Sequence, residues 1–188
     1  IAKAIKKFHP DYQILAYNRT KSVLDDAVFD GIVDVPCVEK DTRFAFCDYI
    51  FLCATVDYNL ECLTWLKDVL RPGCILTDAG SVKGEIHKQV TALGLTSNFI
   101  GGHPMAGSEK TGYEYSTDHL IENAYYILTP SEDVGLDKIG AYTELVSSIG
   151  ALPMILTWEE HDFITASISH LPHIVAASLV NVVKKLDS

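Results

Sequence analysis

His103 stands in the run Gly101-Gly102-His103-Pro104-Met105-Ala106-Gly107-Ser108-Glu109-Lys110, directly after the apolar Phe99-Ile100. Two glycines ahead and a proline behind constrain the imidazole, and an imidazole that is neutral near pH 7 can take a proton from a hydroxyl. Upstream, Thr77-Asp78-Ala79-Gly80-Ser81-Val82-Lys83-Gly84 repeats the layout of an apolar run followed by a turn of small and polar residues. Downstream come Glu160-His161-Asp162 and Ser169-His170-Leu171-Pro172-His173. His170 and His173 are three apart and share a helical face, while Pro172 removes a backbone donor and bends the helix, aiming imidazole into a cleft. No cysteine or HExxH spacing supports a zinc site built from these histidines, so no metal is expected. Three separated polar clusters suggest one shared cleft.

The elements that must position them alternate. Helical spacing over 1–8 is followed by a short strand at 13–17, a helix at 22–29 and the continuous apolar run 49–54, of the kind buried on both faces of a parallel sheet. Then come a helix at 57–70, a strand at 74–77, a helix at 83–93 and a strand at 98–100. After Gly101 the pattern turns polar for about twenty residues, and long loops of this kind are usually functional. A strand at 124–128, a helix at 136–149 and a strand at 152–156 follow. From Trp158 a helical pattern runs to the end of the chain. The expected fold is α/β, a doubly wound parallel sheet of the Rossmann type over 1–156, then the start of an all-helical C-terminal domain over 157–188. In the strand order 3-2-1-4-5-6 the first strand lies between the second and fourth, so a strand and a glycine-rich turn are expected upstream of Ile1.

Sheets of this class bind ligands outside the carboxyl ends of their strands. Asn18-Arg19-Thr20, Ala54-Thr55-Val56, the turn at Gly80-Ser81 and Gly101-Gly102-His103 all follow such ends. The first two, with Gly80, are the candidate cofactor-binding residues.

Composition narrows the partners. A net charge of -10 argues against nucleic acid, which wants a concentrated basic face, and against anionic membranes. Cys37, Cys47, Cys53, Cys62 and Cys74 are odd in number and have no CxxC spacing, so they read as reduced thiols of a cytoplasmic protein. No apolar run approaches the ~18 residues of a membrane helix.

With these motifs in this order, the chain resembles the prephenate and arogenate dehydrogenase family of tyrosine biosynthesis. The runs that carry the resemblance are Thr77 to Lys83, Gly102 to Glu109, Glu160-His161-Asp162 and Ser169 to His173, in matching order over almost the whole chain. The resemblance implies a nicotinamide-dependent oxidative decarboxylation of prephenate to 4-hydroxyphenylpyruvate, with arogenate to tyrosine as a variant. It assigns His103 as the group that accepts the substrate hydroxyl proton and Ser81 as the residue that orients His103 and the substrate. His173, His170, Ser108 and Glu109 are implied around the substrate, and His161 is expected to tie helix to sheet. Lys83, Lys110 and the amides of the helix starting near Val82 are expected to offset a dianionic substrate, with a carboxylate-binding arginine beyond Ser188. The family also implies a homodimer formed through C-terminal helices. A related 3-hydroxyacid dehydrogenase would not be expected to combine these motifs, and a dinucleotide-sensing module would not need Ser81, His103 and His173 intact.

The cofactor is NAD or NADP. NAD enzymes usually present an acidic residue after the second strand, whereas Asn18-Arg19-Thr20 offers a guanidinium that can bind a 2'-phosphate. A guanidinium can also stack on adenine, so both cofactors stay open, and turnover of the full-length protein with NAD and NADP at matched concentrations decides between them. A strong NAD preference would overturn the 2'-phosphate reading of Arg19.

Overall fold

A computed structural model describes residues 1–107, 110 and 112–186. Its elements in chain order are α1 (Ala2–Phe8), β1 (Leu15–Ala16), α2 (Lys21–Phe29), β2 (Val35–Pro36), β3 (Tyr49–Leu52), α3 (Val56–Leu66), β4 (Ile75–Asp78) and α4 (Gly84–Leu93). They continue with β5 (Ile100–Pro104), β6 (Tyr125–Pro130), α5 (Leu136–Ser148), β7 (Leu152–Ile155), α6 (Trp158–Thr165), a π turn (Ala166–His170) and α7 (Leu171–Leu186).

β1 pairs with β2 and β3 with β4, both parallel, and a parallel bridge from Leu76 to Phe99 carries β4 on to β5. β5 pairs with β6 in the antiparallel sense, which departs from the all-parallel expectation, and β6 pairs in parallel with β7. The strand expected to end at Ile100 runs on to Pro104, so His103 sits in a strand, opposite Ile127, rather than in a loop. No ladder joins β1 to β3 among the described residues. A cavity of about 1500 Å³ lies between them, lined by Leu15 and Ala16 on one side and Tyr49 to Leu52 on the other.

Side chains alternate along the strands and build a core on each face of the sheet, as period-two geometry requires. Ile75, Ile100, Tyr126 and Leu128 pack with Tyr142, Leu145 and Val146 of α5 and with Ala4 and Ile5 of α1. Ile50, Leu52, Leu76 and Phe99 pack with Leu63 and Leu66 of α3 and with Ile86 and Val90 of α4. The result is a three-layer α/β arrangement that leaves the strand ends free for chemistry.

Thr157 and Glu160 form a capping box that starts α6: the Thr157 hydroxyl accepts from the Glu160 amide, and the Glu160 carboxylate accepts from the Thr157 amide. The helix then runs continuously from Trp158 to Lys185 through the π turn just ahead of Pro172. Pro172 has no amide hydrogen to complete an α ladder, and a π turn is one way a helix adjusts around such a site. This helix, with a mean hydropathy of 1.5 in its apolar window, is long and apolar enough to cross a membrane by length and composition, contrary to the sequence expectation. Pro172, His173, Ser178 and Asn181 interrupt the run, which is why no continuous apolar stretch shows in the sequence. Its first turns are held in the fold by buried His161 and Thr165.

A Cβ on Gly102 would meet the carbonyl oxygen of Asp78 at 2.5 Å, so β4 and β5 approach each other only because no side chain intervenes. Gly102→Ala is expected to cost ~1–3 kcal/mol through forced backbone shifts. Urea unfolding checks this, and an unchanged midpoint would refute the close approach.

Candidate functional site

The site begins at the carboxyl end of β4. Asp78 is buried, and its carboxylate accepts hydrogen bonds from the Gly102 amide at 3.1 Å and the Gly80 amide at 3.0 Å. It also pairs with the ammonium of Lys83, which is fully buried. Burial lowers the Lys83 pKa, and the charge of Asp78 opposes that fall. One carboxylate thus holds the Gly80 turn, the β5 backbone and the start of α4 together.

Asp162 plays the complementary part from α6. Its carboxylate accepts from the backbone amides of Lys83 and Gly84, each at 2.8 Å, and so satisfies the first orphan donors of α4. His161 Nδ1 lies 2.8 Å from the same carboxylate. Burial alone would push the Asp162 carboxyl up, but the bonds from His161 and the two amides hold it below the usual range. The electrostatic role expected of Lys83 and of the α4 amides changes accordingly. Lys83 is committed to Asp78 and the first amides to Asp162, so neither offers an open charge to a substrate anion.

The His103 ring reaches across from β5 to α6. Its Nδ1 lies 2.8 Å from His161 Nε2, with the rings at 72° and centroids 5.0 Å apart. Burial first, then the nearby His161, Lys83 and His170, pushes the His103 pKa down to about 4, with Asp162 opposing. Burial also lowers His161. Both imidazoles are therefore neutral at pH 7, the state a proton acceptor needs.

The other residues singled out from the sequence fall into three places. Asn18, Arg19, Thr20, Ala54 and Thr55 line the large cavity between β1 and β3, and all five are exposed. Asn18 Oδ1 accepts from the Thr20 amide at 2.8 Å, and buried Asn59 pins the next turn by accepting from Ala54 N and donating to the Leu52 carbonyl. Val56 opens α3, and Gly80 sits in the β4–α4 turn; neither lines that cavity, nor does His103. Ser81 is exposed beside Gly80, and among the described residues it is His161, rather than Ser81, that is hydrogen-bonded to the His103 ring. His170 ends the π turn half-buried. His173 is exposed and donates from Nδ1 to the Ser169 carbonyl at 2.9 Å. Lys110 lies 5.0 Å from the centre of the Tyr115 ring. Ser108 and Glu109 lie outside the described residues.

Sequence reasoning did not foresee the pairing of His161 with His103, nor the burial of Lys83. The capping box at Thr157 and Glu160 was the available signal for the first, because it phases α6 and places His161 and Asp162 within its first two turns.

A second buried imidazole, His87, sits beneath the site, 2.9 Å from Thr129 Oγ1 and edge-on to Phe99. Burial and the nearby Lys83 push its pKa down to about 4. An unfolded histidine titrates near 6.5, so between pH 6.5 and 4 the unfolded chain binds protons that folded His87 and His103 do not. Stability is full above that window and is expected to fall as pH drops through it. In His87→Gln the fall should be shallower, and an unchanged slope of unfolding midpoint against pH would rule out His87 as a contributor.

Comparison with known proteins bears on this arrangement. Residues 1–154 match the family model described as prephenate dehydrogenase, nucleotide-binding domain, and residues 157–188 match prephenate dehydrogenase, dimerization domain. A prephenate dehydrogenase of Lactococcus lactis is 39% identical over 183 residues, covering 96% of this chain and 49% of that protein. The crystal structure of prephenate dehydrogenase from A. aeolicus in complex with hydroxyphenyl propionate and NAD+ superposes with a TM-score of 0.88 at 31% identity, covering 96% of this chain and 63% of that one. A crystal structure of Synechocystis arogenate dehydrogenase gives 0.86 at 30% identity, covering 96% and 64%. The chain spans about half the length of the curated relatives it matches.

Proposed function

Since the chain belongs to the prephenate dehydrogenase family, we propose that the full-length protein oxidises and decarboxylates prephenate to 4-hydroxyphenylpyruvate with NAD or NADP. The observation that carries this reading is the neutral imidazole of His103, held at the carboxyl end of β5 with Nδ1 engaged and, among the described residues, no hydrogen bond to Nε2. When bound, such a cofactor supplies a hydride acceptor for the ring carbon that bears the hydroxyl. His103 takes the hydroxyl proton as that carbon is oxidised. The bond to the ring carboxylate then breaks, its electron pair completes the aromatic ring, and carbon dioxide leaves. His103 returns the proton to the phenolate oxygen, so the imidazole ends each cycle neutral and no proton is consumed. A dianionic substrate beside the ring would raise its pKa from about 4 toward the operating pH, where a base is most effective.

The residues at the ends of β1 and β3 fit the adenosine half of the cofactor. The Arg19 guanidinium and the Thr20 and Thr55 hydroxyls, with the small Ala54, all border one cavity. Among the described residues no ladder joins β1 to β3, and the space between them suits a further, phosphate-binding strand. Gly80, Ser81, His170 and His173 remain proposed neighbours of substrate or cofactor. The exposed apolar surface of α7, within the segment matched by a dimerization-domain model, supports a homodimer. Five free thiols support a reducing compartment such as the cytoplasm. Arogenate is the second reading, favoured by the nearly equal likeness to the arogenate dehydrogenase structure.

Full-length protein mixed with prephenate or arogenate and either cofactor is expected to form reduced nicotinamide with at least one pair. His103→Asn should lower turnover by ~10²- to 10⁴-fold with little change in cofactor affinity. Near-normal turnover in that variant would remove His103 as the base. No reduction with any pair would favour a dinucleotide-sensing role.

A further inference from the structure

We infer that Asp162 and His161 form a positioning pair that locks His103 in the tautomer with hydrogen on Nδ1, leaving Nε2 as the basic atom. The inference rests on the reading of His103 as acceptor of a substrate hydroxyl proton and assigns positioning roles to two residues of α6.

The chain of donors and acceptors runs one way. Asp162 is anchored by the Lys83 and Gly84 amides, which can only donate, so its carboxylate is held as an acceptor. His161 Nδ1, at 2.8 Å from Asp162 Oδ1, must then carry hydrogen. In a neutral imidazole the other nitrogen is bare, so His161 Nε2 accepts. Two groups lie against it: the Thr165 hydroxyl at 3.4 Å, which can donate, and His103 Nδ1 at 2.8 Å, which must donate. His103 therefore presents Nε2 unprotonated. Burial keeps the two imidazoles neutral, with His161 and Thr165 both nearly inaccessible.

The geometry also says what the pair does when the base is loaded. A proton arriving at His103 Nε2 makes an imidazolium whose Nδ1–H still points at His161 Nε2, and the Asp162 charge behind His161 offsets it. No proton needs to pass down the chain. Without His161 the ring could rotate, or hold hydrogen on Nε2, and the lone pair would face away from the substrate. The groups acting on His103 are His161 and Asp162 from α6, Lys83 from the start of α4, and His170 from the π turn.

Two measurements test this. In full-length protein labelled with ¹⁵N-histidine, the His103 ring is expected to show the Nδ1–H tautomer at pH 7, a readout that needs no substrate and survives failure of the proposed reaction. A His103 ring carrying hydrogen on Nε2 would overturn the inference. In His161→Phe, turnover is expected to fall ~10²-fold, with KM values for substrate and cofactor within about threefold and the acid limb of the pH profile displaced. His161→Gln, whose amide oxygen can stand in for Nε2 as acceptor, should recover most of the lost turnover. Equal losses in His161→Phe and His161→Gln with an unmoved pH profile would make the role purely structural. If His161→Phe fails to fold, the tautomer in the unmodified protein still decides.

Discussion

The buried contact between Asp78 and Lys83 is the constraint on which the site depends. A charge pair withdrawn from water is expensive and survives only when its remaining hydrogen-bonding capacity is met. Here it is met by the very elements that the site needs fixed: the Gly80 amide in the turn after β4 and the Gly102 amide in β5. Lys83 also delivers its own backbone amide to Asp162. A local charge pair therefore sets the distance between two strand ends and the direction in which α4 leaves the sheet. The two glycines before His103 let the backbone close on that centre, since a Cβ on Gly101 would come within 2.3 Å of the Thr129 hydroxyl.

Asp162 joins this framework from a different part of the chain. It caps α4 from α6, so the segment that begins the long apolar helix is fastened to the sheet by charge-assisted bonds rather than by apolar burial alone. That attachment places His161 against His103. The imidazole in β5 and the carboxylate in α6 are 59 residues apart in sequence yet belong to one polar unit.

Much of this was legible in the sequence. The apolar runs at Tyr49 to Leu52 and Cys74 to Leu76 are legible because strands buried on both faces must be largely apolar throughout. The motif around His103 announced a constrained imidazole. Less legible was the direction of β6, because antiparallel and parallel strands share the same period and only the connection differs. The short β2 at Val35–Pro36 carries too few residues for any period to show. The pairing of His161 with His103 depends on the angle at which α6 returns over the sheet, and the capping box, which phases the helix, does not set that angle. The burial of Lys83 was hidden for a similar reason: a lysine at a helix start reads as a surface charge until the carboxylate opposite it is known.

The cavity between β1 and β3 has a bearing on how the chain behaves among other chains. Strand edges are usually a hazard at the rim of a sheet, where short strands, charges or prolines blunt them. Here the two-residue β1 and the four-residue β3 face each other across a cavity bordered by Leu15, Ile50 and Leu52, and no ladder joins them among the described residues. An extended backbone segment placed in that cavity would therefore meet hydrogen-bonding partners on both sides, whether it came from the same chain or from another.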